Sequence, residues 1–277
     1  MICERIDLYN YFGVKRPQGA EGYLDTYIRK ESAEFSLGRK RPAMLVIPGG
    51  GYAMVSAREG CPIALEYLTI GFHSFVLNYS VAPLCYPTQL IEAGMAMAWI
   101  RENAEKYLID ANHVAAIGFS AGGHLCGMLA TIFEEKELVD ALGEKAKLCR
   151  PDGVILSYPV ISAGEFAHRG SFNNLSGLKP ELYDKLSLEK RVTEKSSPAF
   201  IWSTSNDLTV PCENSLLMAL AYRKVGIPIE LHIIEPGRHG LSTCDAEVNS
   251  PESTVRAWIN LSKTWLVNRG FVITNKE

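Results

Sequence analysis

The chain has 277 residues, 47% of them hydrophobic, which suffices for the core of an α/β sheet covered by helices on both faces. The net charge is −3, and the one short basic cluster, Arg39-Lys40-Arg41, reads as a solvated loop before a strand, so no nucleic-acid partner is expected. Neither long uncharged stretch, 67–91 or 111–133, is an uninterrupted apolar span, which excludes a membrane helix there.

Residues 6–9 and 23–30 read as two early strands forming an antiparallel edge. From residue 43 onward, strand and helix signals alternate, the pattern of a parallel sheet with crossover helices. Strand 43–47 precedes a helix over about 58–70, and strand 74–79 precedes a helix over 88–107 that opens after Pro87 with Thr88 as N-cap. The centre of that helix, Ala93–Ile100, is apolar nearly all round and is expected to be buried, with its methionines as core filler. A strand at 113–117 and a helix at about 120–133 follow, then a strand at 153–158. Residues 160–197 are the least regular part and read as a lid insertion over the site, against the alternative of a plain surface excursion. Strand 199–204, helix 212–225, strand 228–234 and helix 251–268 complete one domain spanning 1–277.

Seven cysteines are spread along the chain with no metal-ligand spacing, and Cys61, Cys126 and Cys149 lie in apolar contexts. Free buried thiols in a reducing compartment are the plain reading. The opening Met1–Asp7 is charged and has no apolar signal core, so the expected location is cytoplasmic.

Gly118-Phe119-Ser120-Ala121-Gly122 fits G-x-S-x-G between an apolar β-type run and a small-residue helical run. On a sharp strand-to-helix turn, Ser120 would stand exposed at the sheet top as a nucleophile. An ordinary glycine-rich turn is the bland alternative. Asp207 and His239 each follow a predicted strand, at the sheet edge where chemistry gathers. The order Ser120, Asp207, His239 is that of α/β-hydrolases. Asp245 is the fallback acid. Pro48-Gly49-Gly50-Gly51-Tyr52 follows the 43–47 strand directly, and the amides of Gly50, Gly51 and Ala121 are the candidate oxyanion donors. Of the other histidines, His73, His113 and His232 read as structural, His124 as core more readily than pocket, and His168 as a lid residue that could touch substrate. Tyr52 and Trp202 are the aromatic candidates for substrate contact, with Ser171, Asn173 and Asn174 as polar ones. No metal site, phosphate loop or dinucleotide fingerprint is present, and no cofactor is expected.

These segments, with Asn78–Pro83, Ser157–Ile161, Val210–Ser215 and His239–Leu241, resemble the α/β-hydrolase esterases related to bacterial lipases. More narrowly they resemble acetyl and acetyl-xylan esterases. Ser203–Asp207 departs from the His-Thr-Ala-Asp-Asp of such relatives but keeps the acid. The resemblance implies an α/β-hydrolase fold with a mostly parallel sheet. It also implies a serine carboxylesterase for short acyl esters, acetyl above all, of sugars or xylo-oligosaccharides. Rival readings are an aminopeptidase-like or formamidase hydrolase on the same triad, or a non-catalytic hydrolase-fold binding protein. The partner expected is a small ester, with homo-oligomerisation left open.

Overall fold

The computed structural model describes residues 1–35 and 37–274. Its strands are β1 (Arg5–Asp7), β2 (Tyr23–Tyr27), β3 (Arg41–Ile47), β4 (His73–Asn78), β5 (Ile109–Phe119), β6 (Gly153–Ser157), β7 (Ala199–Thr204) and β8 (Ile229–Ile234). They form one sheet in the order β1-β2-β4-β3-β5-β6-β7-β8. The pairs β1/β2 and β2/β4 are antiparallel and all later pairs are parallel. The helices are α1 (Leu8–Phe12), α2 (Cys61–Leu68), α3 (Thr88–Glu102), α4 (Ala104–Tyr107), α5 (Ala121–Thr131), α6 (Lys136–Leu142), α7 (Arg169–Ser176), α8 (Tyr183–Leu186), α9 (Glu213–Val225) and α10 (Ala257–Asn268).

The period-2 geometry of the strands sorts their side chains onto two faces. Leu45, Ile47, Ala116, Leu156 and Ile201 join α3, α5 and α9 in one buried cluster. Met44, Val46, Ile117, Ile155, Phe200 and Trp202 face α2 and α10 in the other. With both faces covered, the parallel strands can be apolar without alternation. Residues 93–100 of α3 are buried as expected.

Several boundaries differ from the sequence reading. Residues 8–12 turn into α1 because the Asp7 side chain accepts from Asn10 N–H and caps a helix there. The helix expected over 88–107 breaks at Asn103 into α3 and α4, and Pro87 rather than Thr88 holds the N-cap position. β5 begins at Ile109, four residues before the expected 113, and α10 begins at Ala257 rather than 251. All seven cysteines are free; Cys126 and Cys149 are buried, but Cys61 opens α2 on the exposed side. Among the described residues no helix is long and apolar enough to cross a membrane.

The 160–197 segment is docked rather than loose. Asn214 of α9 accepts from Ile161 N–H and Ser162 N–H, each at 3.0 Å, and donates to the Phe166 carbonyl at 2.8 Å. Phe172, Leu175, Leu186 and Leu188 are buried in the core.

Candidate active site

Ser120 sits between β5 and α5 with φ 53° and ψ −118°, a strained conformation for a residue with a side chain. The close packing around it explains the small residues: a Cβ on Gly122 would lie 2.2 Å from the carbonyl oxygens of Ile47 and Pro48. The backbone is tied to β6, with Ser120 N–H donating to Ser157 at 3.0 Å and the Ser120 carbonyl accepting from Val160 at 3.1 Å. The side chain is therefore presented at the C-terminal edge of the sheet.

His239 lies in the loop after β8 and Asp207 in the loop after β7. The structure joins them to Ser120 in one chain of hydrogen bonds. His239 Nδ1 is 2.6 Å from Asp207 Oδ2, and Nε2 is 2.8 Å from Ser120 Oγ. Asp207 is fully buried at its side chain, and its other oxygen accepts from Thr209 and Val210 N–H, both at 2.9 Å. A carboxylate so held has one oxygen left for the imidazole, which favours the proton on Nδ1 and leaves Nε2 to accept from the serine. Asp245 is elsewhere: it pairs with Arg256 at 2.5 Å and accepts from Thr243 at 2.9 Å.

The glycine-rich loop crosses beside the elbow. Its Gly49 and Gly50 carbonyls are used within the loop, accepting from Ser56, Ala53 and Met54. The amides of Gly50 and Gly51 take part in no hydrogen bond among the described residues. Ala121 opens α5, so its N–H has no acceptor in a preceding turn.

The substrate-contact candidates divide. His168 caps α7, accepting from Ser171 N–H at 3.3 Å through Nδ1, which leaves Nε2 as the N–H side. It stands near the glycine loop, for a Cβ on Gly51 would be 3.9 Å from both His168 Cε1 and Ser171 Oγ. Burial, reinforced by His239, holds the His168 imidazole below its ordinary pKa.

Tyr52 does not face the site. It is buried, and its hydroxyl is 2.9 Å from His124 Nδ1. Trp202 is not at the rim either: it is buried against α10, stacked on Trp258, with Nε1–H donating to Ser157 Oγ at 2.8 Å. Its position in the β7 alternation sends it to the α2/α10 face. Ser171 is buried and bonded to His168 and Asn173 accepts from Tyr183, so these two serve the insertion itself, whereas Asn174 donates to the Gly51 carbonyl and ties the insertion to the glycine loop. His124 is a core residue, with Nε2–H donating to the Leu186 carbonyl at 2.8 Å, and burial lowers its pKa to about 4.

Two neighbours of the site escaped the sequence reading. Tyr158, just past β6 with φ 36°, sets its ring edge-on to His239 at 5.0 Å between centroids. Glu59 is buried and accepts from the Tyr158 hydroxyl at 2.6 Å. Glu59 falls at the start of the helix expected over about 58–70, and no local pattern marks it as part of a site.

The chain is similar in sequence and in fold to known proteins. The chain is 43% identical over 216 residues to endo-1,4-beta-xylanase B of Butyrivibrio fibrisolvens, covering 75% of this chain and 34% of that protein. It is 32% identical over 208 residues to an acetylxylan esterase of Xylanibacter ruminicola, covering 72% of this chain and 40% of that one. The chain thus matches well under half the length of these curated relatives. Among solved structures, an acetyl ester-xyloside bifunctional hydrolase from Caldicellulosiruptor lactoaceticus superposes with TM-score 0.82 at 36% identity, covering 97% of each chain. A carboxylesterase from Lactobacillus plantarum gives TM-score 0.82 at 27% identity, covering 99% of this chain and 100% of that one. The BD-FAE family matches residues 24–222, from β2 into α9 and through the glycine loop, the elbow and Asp207. With that match across most of the sheet, the chain belongs to the BD-FAE family of α/β-hydrolases.

Proposed function

We propose that this chain is a serine carboxylesterase that hydrolyses short acyl esters, acetyl above all, of sugars or xylo-oligosaccharides. The observation that carries the reading is the unbroken Ser120–His239–Asp207 hydrogen-bond chain at 2.8 and 2.6 Å. Ser120 Oγ attacks the ester carbonyl while His239 Nε2 takes its proton. Asp207 holds the imidazole in the tautomer that can do so and stabilises the imidazolium that forms. The free amides of Gly50, Gly51 and Ala121 receive the developing oxyanion, each worth on the order of 3–4 kcal/mol in the transition state. His239 then returns the proton to the leaving alcohol, and water releases the acyl group by the same steps.

Two things support a small acyl group on a sugar. The insertion lies close over the glycine loop, with the polar His168 and Ser171 side chains near Gly51, so hydroxyl-binding groups stand beside the proposed oxyanion loop. The relatives named for acetylxylan and acetyl ester-xyloside hydrolysis point to a sugar alcohol. His168, with its Nε2–H side unused by α7, is the substrate contact in this reading.

The test is a panel of acetyl, butyryl and octanoyl p-nitrophenyl esters alongside acetylated xylo-oligosaccharides. Acetyl esters should turn over fastest, and the sugar acetates should exceed alkyl acetates in kcat/KM through remote binding. Fastest turnover of octanoyl esters, or no gain from the sugar, refutes the substrate assignment.

A further inference from the structure

Glu59 occupies a single 3-10 turn, Ala57–Glu59, ahead of α2, and its carboxylate is buried. Its oxygens accept from two separate loops: Oε2 from Gly49 N–H at 2.8 Å and Oε1 from the Tyr158 hydroxyl at 2.6 Å. The Tyr158 oxygen accepts in turn from Ser242 N–H at 3.0 Å, and Ser242 Oγ donates to the Arg58 carbonyl at 2.5 Å. One short turn therefore touches the glycine loop, the segment after β6 and the loop that carries His239.

The spacing is tight. A Cβ on Gly49 would lie 2.8 Å from Glu59 Oε2 and 3.0 Å from Ser120 Cβ, so carboxylate, loop and nucleophile stack without spare room. Burial drives the Glu59 carboxyl up in pKa, while the Tyr158 and Gly49 hydrogen bonds and the nearby His239 oppose that shift. Holding a carboxylate in such a place is costly unless its partners are well made, and an apolar side chain would fill the space at less expense.

We propose that Glu59 is a positioning residue, which through Gly49 and Tyr158 holds the glycine loop and the His239 loop in register around Ser120. The inference rests on the esterase reading above. Both partners of Glu59 donate, so the site needs an all-acceptor side chain. Glu59→Gln keeps the volume but sets an NH₂ against a donor. Tyr158→Phe keeps the ring against His239 and removes only the link to Glu59 and Ser242.

The experiment titrates competent serines with a fluorophosphonate probe and divides p-nitrophenyl acetate turnover by that count. Glu59→Gln should lower kcat per titrated site by about 10- to 100-fold with KM within about threefold, below the full loss of an oxyanion donor. Tyr158→Phe should lower it by about 3- to 10-fold, and the double variant should be no worse than Glu59→Gln, since both cut one network. A merely structural role would reduce the titrated fraction and leave kcat per site unchanged. That result in Glu59→Gln, or in Tyr158→Phe if Glu59→Gln does not fold, overturns the proposal. If the wild-type chain takes the probe but does not turn over acetate, the esterase reading fails separately. The labelling rate of Glu59→Gln, expected about 10-fold below wild type, then decides the role of Glu59.

Discussion

Asn174 donates its side-chain amide to the Gly51 carbonyl at 2.8 Å, so α7 of the insertion is fastened to the glycine loop beside Ser120. The peptide unit between Gly51 and Tyr52 is thereby held from outside its own loop, one unit beyond the Gly51 N–H. Removing this tie by Asn174→Ala should lower acetyl ester kcat/KM by about 10-fold and raise the butyryl-to-acetyl ratio, because the turn that carries the proposed donors Gly50 and Gly51 loses its outside support and the insertion packs less closely on it. An unchanged rate and ratio would show that the insertion plays no part in shaping the site.

Ser120→Ala should lower kcat by at least ~10³-fold with the fold intact, since only binding and the oxyanion donors remain. Ser120→Gly adds a second readout. The left-handed φ of 53° costs a residue with a Cβ roughly 1 kcal/mol that glycine does not pay. The glycine variant should therefore be inactive yet more stable than Ser120→Ala in chemical denaturation. Equal stabilities would argue that the elbow carries no strain.

Asp207→Asn should cost ~10²–10⁴-fold in kcat by disordering the imidazole. Asp245→Asn should change kcat by less than about twofold, because its carboxylate is spent on Arg256 and Thr243. A damaging Asp245 variant with a harmless Asp207 variant would mean that the wrong acid has been chosen.

His124 supplies a pH prediction. Its imidazole is buried and neutral, with a pKa lowered from 6.5 to about 4 by burial. The unfolded chain takes up this proton first as pH falls, so the residue favours folding above 6.5 and loses that contribution between 6.5 and about 4. The buried Glu59 and Glu92, raised by burial, act in the opposite sense over part of that range. Comparing wild type with His124→Gln cancels them. The stability difference between the two should shrink by ~3 kcal/mol from pH 7.5 to 4, as urea titrations at several pH values would record. A pH-independent difference would contradict the neutral core histidine.

The placement of Ser120, Asp207 and His239 was legible because each follows an apolar run at the same sheet edge, and a strand's end can be read from its residues. The parallel core was legible for the same reason. Orientation was harder. Trp202 and Tyr52 look suited to a sugar by residue type, yet Trp202 follows the β7 alternation to the far face and Tyr52 is drawn inward to His124. The function of Glu59 depends on partners at positions 49 and 158, which no local pattern connects. Asp7 hid α1 in the same way, since its cap is a side-chain choice within an otherwise strand-like run.

The stacked indoles of Trp202 and Trp258, 4.8 Å apart at 14°, also give the protein a built-in optical probe. Such a pair couples its transitions and yields a near-ultraviolet circular dichroism signal that depends on the mutual angle of the rings. Trp202 meets Tyr158 at 5.0 Å, and Trp258 donates its N–H to the Ser242 carbonyl at 3.1 Å, three residues beyond His239. A shift of the histidine loop that reaches either indole changes their mutual angle, so movement of this loop can be followed in the unlabelled protein by that circular dichroism signal.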